Sequence, residues 1–87
     1  MAIEISNAFG RDMRGIHRNY HQRVALIIEE MKAAENSHQI RNLEPCEGTP
    51  NAFRIRMGDY RIGVYVEDNI IKLKRIGNRG DFYNYFP

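Results

Sequence analysis

Residues 54–66 read RIRMGDYRIGVYV, Arg54 to Val66. Polar and apolar residues alternate on both sides of a Gly58-Asp59 break, which is the period of a strand buried on one face. Gly-Asp between two such runs is a hairpin turn signal, and Asp68-Asn69 repeats it ahead of IIKLKRI. The segment is therefore predicted to form three antiparallel strands over 52–57, 60–67 and 70–76.

Two-residue turns also set the register. Arg56 would face Arg61, Ile55 would face Ile62, Val64 would face Leu73 and Gly63 would face Lys74, and opposed residues share a face. One face then collects Phe53, Ile55, Met57, Tyr60, Ile62, Val64, Val66, Ile71 and Leu73, the predicted core. The other collects Arg54, Arg56, Arg61, Gly63, Tyr65, Lys72 and Lys74, with the glycine opening space among the cations. Like charges directly opposite are unfavourable in a sheet, so Arg56 across from Arg61 is hard to explain by stability alone. Two readings stand at this point: a solvated basic face, or a surface that holds phosphate.

Working back towards the N-terminus, Ile3 and Ile5 alternate as in a short strand over 2–6, and Ser6 and Asn7 are good helix N-caps. Phe9, Met13, Ile16 and Tyr20 follow at helical spacing, weakened by Gly10 and Gly15. In YHQRVALIIEEMKAA, residues Tyr20, Val24, Ile27, Ile28, Met31 and Ala34 share one helical face. Two helices are expected, joined near residues 15–20 and stopping at Asn36-Ser37. Pro45, Gly48 and Pro50 mark 36–51 as a connection, and the tail DFYNYFP is a candidate for a final short strand. The expected fold class is α+β, in the order β-α-α-β-β-β, with the helical pair packed on one face of a small antiparallel-rich sheet.

The 87 residues suit one domain, 1–87, that buries a modest core. With 43% hydrophobic and 28% charged residues, the composition is that of a water-soluble protein. No apolar run approaches the roughly 20 residues that span a bilayer, and MAIEISNAFG lacks a basic-then-apolar leader. The single cysteine, Cys46, excludes an internal disulfide, and a reducing cytoplasmic setting is the expectation. The net charge of +2 is unevenly spread: residues 54–79 hold seven Lys/Arg against three acids, whereas residues 1–53 hold six against seven. A local cationic patch is the usual footprint of a polyanion partner.

His17 and His21 stand four apart on a helical stretch, but no third ligand is in view, so no metal or other cofactor is expected. No glycine-rich phosphate loop precedes a helix, and nothing marks Cys46 as a nucleophile. What remains is Arg, Lys and Tyr. Arginine binds two phosphate oxygens with one planar fork and can stabilise a phosphoryl transition state. Metal-free RNA cleavage also needs a group to accept the 2′-hydroxyl proton and one to protonate the leaving oxygen. Tyr83 is the candidate if cations lower its pKa, with Tyr85 and Tyr65 as rivals; each can equally be read as packing.

The stretch from Phe53 to Pro87 resembles the C-terminal half of the RelE/ParE superfamily, the small toxins of type II toxin–antitoxin pairs. The match centres on Arg56-Met57-Gly58-Asp59-Tyr60-Arg61-Ile62, then Arg75-Ile76-Gly77-Asn78-Arg79, then Tyr83. By that resemblance the chain would be a metal-independent endoribonuclease that cuts messenger RNA on the ribosome. Arg61 and Arg79 would hold the scissile phosphate, Tyr83 would assist proton transfer, and Arg54 and Arg56 would bind RNA, with Lys72 and Lys74, set beside them by the hairpin register, as further phosphate-binding candidates. A cognate antitoxin would be the protein partner, and no membrane is involved. The resemblance also implies alternatives: a ParE-like poison of DNA gyrase, or a non-toxic basic-sheet binding module. Three positions depart from the family pattern. Asn78 stands where many relatives have histidine, Gly80 where many have a second charge, and Glu44 and Glu47 where lysines often precede the second strand.

Overall fold

The computed structural model describes all of residues 1–87, and both hairpins form as their turn residues dictate. Asp68 and Asn69 take φ of 50° and 64°, the doubly left-handed path of a type I′ turn, and Gly58 at φ 60° opens a turn of the II′ kind. Five strands make one sheet: β1 (Ala2–Ile5), β2 (Leu43–Pro45), β3 (Ala52–Met57), β4 (Tyr60–Glu67) and β5 (Ile70–Asn78). Their order is β1-β5-β4-β3-β2, with β1 parallel to β5 and every other pair antiparallel. The helices α1 (Asn7–Arg14) and α2 (His21–Ala33) flank a 3-10 turn at Arg18–Tyr20.

The expected α+β class and order hold, and three details differ. β2 lies within the segment read as a connection; three residues ending in Pro45 are too few to show a period. β5 carries a bulge: Val64 faces Leu73 as expected, but Gly63 faces Arg75, so Lys74 is the extra residue. Arg75 thereby joins the basic face. The tail forms a 3-10 turn, Phe82–Asn84, in place of a final strand.

The core lies between the helices and the predicted apolar face. Phe9 of α1 and Val24 and Met31 of α2 pack with Ile55, Met57, Ile62, Val64, Ile71, Leu73 and Ile76. Ser6 caps α1 by accepting from the Phe9 N–H at 3.0 Å. Beyond the end of β1, α1 covers the open edge of β5. There the Ser6 hydroxyl donates to the Lys74 carbonyl at 2.9 Å, and Asp12 Oδ2 accepts from the Ile76 N–H at 3.0 Å. The N-terminal ammonium donates to the carbonyls of Lys32 (3.1 Å) and Ala34 (2.7 Å), at the negative end of the α2 dipole. No helix is long and apolar enough to cross a membrane.

Candidate nucleic-acid interface

Strand alternation and the two hairpins bring Arg54, Arg56, Arg61, Lys72 and Lys74 onto one side of the sheet, facing away from the helices. Several of these cations meet acids there. Glu44 of β2 sits opposite Arg54 and approaches Arg54 at 3.9 Å and Arg56 at 3.4 Å. Lys72 pairs with Glu67 at 3.6 Å. Such partly exposed pairs are worth little and exchange easily for a phosphate. Neither Arg61 nor Lys74 has an acidic partner among the ion pairs.

The Gly58-Asp59 turn organises the arginines at one end of this face. Arg61 Nη1 donates to the carbonyls of Gly58 (2.8 Å) and Tyr60 (2.9 Å). The Arg79 N–H donates to the Asp59 carbonyl at 2.8 Å, and Arg79 Nε stands 3.9 Å from the Asp59 carboxylate. Arg61 and Arg79 are thus tied to the two halves of one turn. The Nε–H donors of Arg61 and Arg54 are buried without an acceptor in the protein. A buried unpaired donor is rare enough to call for an explanation.

The tail crosses the middle of the same face. Phe82 and Phe86 bury against Ala52 and Cys46 as a second, smaller apolar cluster, flanked by Tyr65 and Tyr85. The space opened by Gly63 is filled by the protein itself: a Cβ there would lie 2.7 Å from three carbons of the Phe86 ring. Gly63→Val is therefore expected to unseat the tail and to lower stability by about 1–3 kcal/mol, the usual range for overpacking. Thermal unfolding and hydrogen exchange at the tail amides would check both effects.

Tyr83, the tyrosine singled out from the sequence, is 51% exposed, with its ring edge-on to Phe82 at 5.1 Å. Tyr85 points inward. A Cβ on Gly77 would overlap the Tyr85 hydroxyl, and Gly77 is the cross-strand partner of Arg61. The Arg75 guanidinium lies over the Tyr85 ring at 4.0 Å and is gripped by Asp12 through Nε (2.8 Å) and Nη2 (3.1 Å). Burial raises the Tyr85 pKa, the Asp12 charge adds to this, and Arg75 opposes it. The hydrogen bonds to Asp12 raise the Arg75 pKa. Sequence reasoning missed this trio because the bulge that turns Arg75 leaves no mark in composition; Gly77 was the available signal.

Asn78, one of the departures from the family pattern, shapes the backbone. Its Oδ1 accepts from the Gly80 N–H at 2.9 Å and turns the chain into the tail. His17 Nδ1 accepts from the Asn19 N–H at 3.1 Å, and His21 Nε2 lies 3.0 and 3.1 Å from the Met13 and Ile16 carbonyls. No group of three or more His, Cys, Asp or Glu is arranged to hold a metal ion.

No family model matches the chain. It is 31% identical over 88 residues to the toxin RelE3 of Methanocaldococcus jannaschii, with 100% of both chains covered. Its fold superposes on that of a chain from the RelB–RelE antitoxin–toxin complex of Methanococcus jannaschii with a TM-score of 0.84 and 30% identity, over 97% of this chain and 99% of that one. A chain from the archaeal RelE–RelB complex of Pyrococcus horikoshii shares the fold at a TM-score of 0.73 and 20% identity, over 91% and 94% of the two chains.

Proposed function

The chain belongs to the RelE family of toxins, and we propose that it acts in a toxin–antitoxin pair by cutting messenger RNA on the ribosome, without a metal. The observation that carries this reading is the gathering of Arg54, Arg56, Arg61, Lys72 and Lys74 on one sheet face, with Arg61 and Lys74 outside every ion pair. A phosphate matches the guanidinium fork and needs no acid to be displaced from Arg61. Arg61 and Arg79, tied to the same turn, would clamp the scissile phosphate and its developing charge. Arg54, Arg56, Lys72 and Lys74 would hold the flanking backbone, exchanging Glu44 and Glu67 for phosphates.

The helical side supports a large polyanionic partner. Arg14, Arg18 and Arg23 are exposed, and none is in an ion pair. Arg23 reaches the far side of the turn that binds Arg61, with Nη1 3.7 Å from where a Cβ on Gly58 would stand. Arg23, Arg61 and Arg79 therefore gather around one turn, a cationic end suited to docking on ribosomal RNA. A cognate antitoxin is the proposed protein partner, since the related RelE chains are found in complexes with RelB. These relatives give no support to the gyrase alternative.

The test is induction of the chain with and without a candidate antitoxin from the adjacent reading frame, read on RNA ends and on plasmid supercoiling. Growth arrest with new breaks inside translated messages, relieved by the antitoxin, is the expected result. Arrest with intact messages and inhibited gyrase would overturn the reading, and harmless expression at high level would overturn toxicity itself.

A further inference from the structure

Resting on the reading of the basic sheet face as an RNA-binding surface, we infer that Glu44 is a specificity-determining residue: its carboxylate takes the phosphate positions of Arg54 and Arg56 and so disfavours free RNA against message held on the ribosome. β2 is built around this side chain. The strand has three residues, of which Leu43 packs on the core and Pro45 is exposed. Glu44 stands between them, opposite Arg54, so its side chain lies on the face that carries the cations. Both carboxylate oxygens meet a guanidinium: Oε1 lies 3.4 Å from Arg56 Nε, and Oε2 lies 3.9 Å from Arg54 Nη2. Arg54 Nη1 also donates to the Pro45 carbonyl at 3.3 Å, so β2 holds that side chain twice. Carboxylate and phosphate both match the guanidinium fork, so the two compete for one place.

The acids divide the face. Arg54, Arg56 and Lys72 are ion-paired to Glu44 or Glu67, whereas Arg61 and Lys74 are not. A single strand binds cations by releasing its own counterions, and each phosphate neutralised contributes about 0.7 to the slope of log affinity on log salt. An arginine that already holds a tethered carboxylate contributes less. The incoming phosphate must displace Glu44, and the displaced carboxylate stays beside it on β2 and repels it. Discrimination often needs such a repulsive element against the wrong partner. For a free strand the sheet face supplies the whole attraction, so the loss is a large share of the binding. On the ribosome the exposed Arg14, Arg18 and Arg23 of the helical side add contacts to ribosomal RNA, and the same loss is a small share.

Binding of the purified chain to a short 2′-O-methyl RNA, which lacks the attacking hydroxyl and stays intact, tests the inference across a range of salt. Glu44→Gln keeps the length of the side chain and removes its charge. Affinity should rise about tenfold at low salt, and the salt slope should steepen by about 0.7–1.4, the yield of one or two more phosphates on a single strand. Glu47→Gln makes the same change in net charge at an exposed acid that joins no ion pair, and it should stay within about threefold of the parent with the same slope. In competition between programmed ribosomes and the free RNA, Glu44→Gln should lose about tenfold of the parent's preference for ribosomes. Equal affinity and slope in the parent and Glu44→Gln overturn the inference and leave the RNA-binding reading standing. An equal gain in Glu47→Gln, or an undiminished preference for ribosomes, does the same. Failure of both the parent and Glu44→Gln to bind RNA at any salt overturns the reading of the face, and this inference with it.

Discussion

Replacing Arg61 with alanine is expected to reduce cleavage of ribosome-bound message by about 10²–10³-fold, the usual cost of deleting one preorganised donor to a developing negative charge. The side chain lies off the core, and its two hydrogen bonds go to carbonyls of its own hairpin, Gly58 and Tyr60. Their loss should cost about 1 kcal/mol of stability and leave the fold intact. Unlike a core substitution, the variant should therefore separate activity from folding. Arg61→Lys should recover only part of the rate, since an ammonium cannot donate from a fork to two oxygens while also holding the turn. The measurement is a pair of curves: single-turnover rate against ribosome concentration, and thermal unfolding. Unchanged cleavage in Arg61→Ala would remove Arg61 from the phosphate site, however well it is placed.

Phe82→Ala is expected to have the next largest effect, by another route. Phe82 is fully buried and anchors the tail in the smaller apolar cluster with Cys46, Ala52 and Phe86. Deleting a buried phenylalanine ring costs about 3–5 kcal/mol. A short tail holds little more than that, so it should detach while the main core, which shares no residue with this cluster, stays closed. The Tyr85 and Phe86 amides, which donate to the Phe82 carbonyl at 3.2 and 3.0 Å, should lose their hydrogen-exchange protection while β4 and β5 keep theirs. Tyr83 and Tyr85 leave with the tail, so cleavage should drop by about 100-fold or more. Full cleavage with an unprotected tail would show that the chemistry needs neither tyrosine.

Both expectations rest on features that the sequence disclosed unequally. The alternation from Arg54 to Val66 and the two hairpin dipeptides were enough for the class, for the Arg56–Arg61 pairing and for the segregation of cations from the core. Those signals are local, and turn geometry propagates them along the strands. Three features depended on contacts distant in sequence. β2 exists because Leu43–Pro45 can pair with β3, and its Glu44 then neutralises part of the basic face. The bulge at Lys74 has no compositional trace, yet it turns Arg75 towards Asp12, 63 residues earlier. The tail's path was foreshadowed by Gly63 and Gly77, two glycines on one face of neighbouring strands. A glycine inside a strand signals close approach by another part of the chain. Taken by itself, Gly63 suggested open space for a ligand; Phe86 fills it. Among the tyrosines, residue type alone offered Tyr83, with Tyr85 and Tyr65 as rivals; the fold leaves Tyr83 half exposed and packs the Tyr85 hydroxyl against Gly77.

The decisive measurement adds the purified protein to ribosomes holding a defined message and maps the new RNA ends. Discrete breaks in the bound message, none in the same message free of ribosomes, and none with Arg61→Ala would agree with phosphate chemistry on the basic sheet face. An intact bound message, or equal cutting by Arg61→Ala, would contradict it.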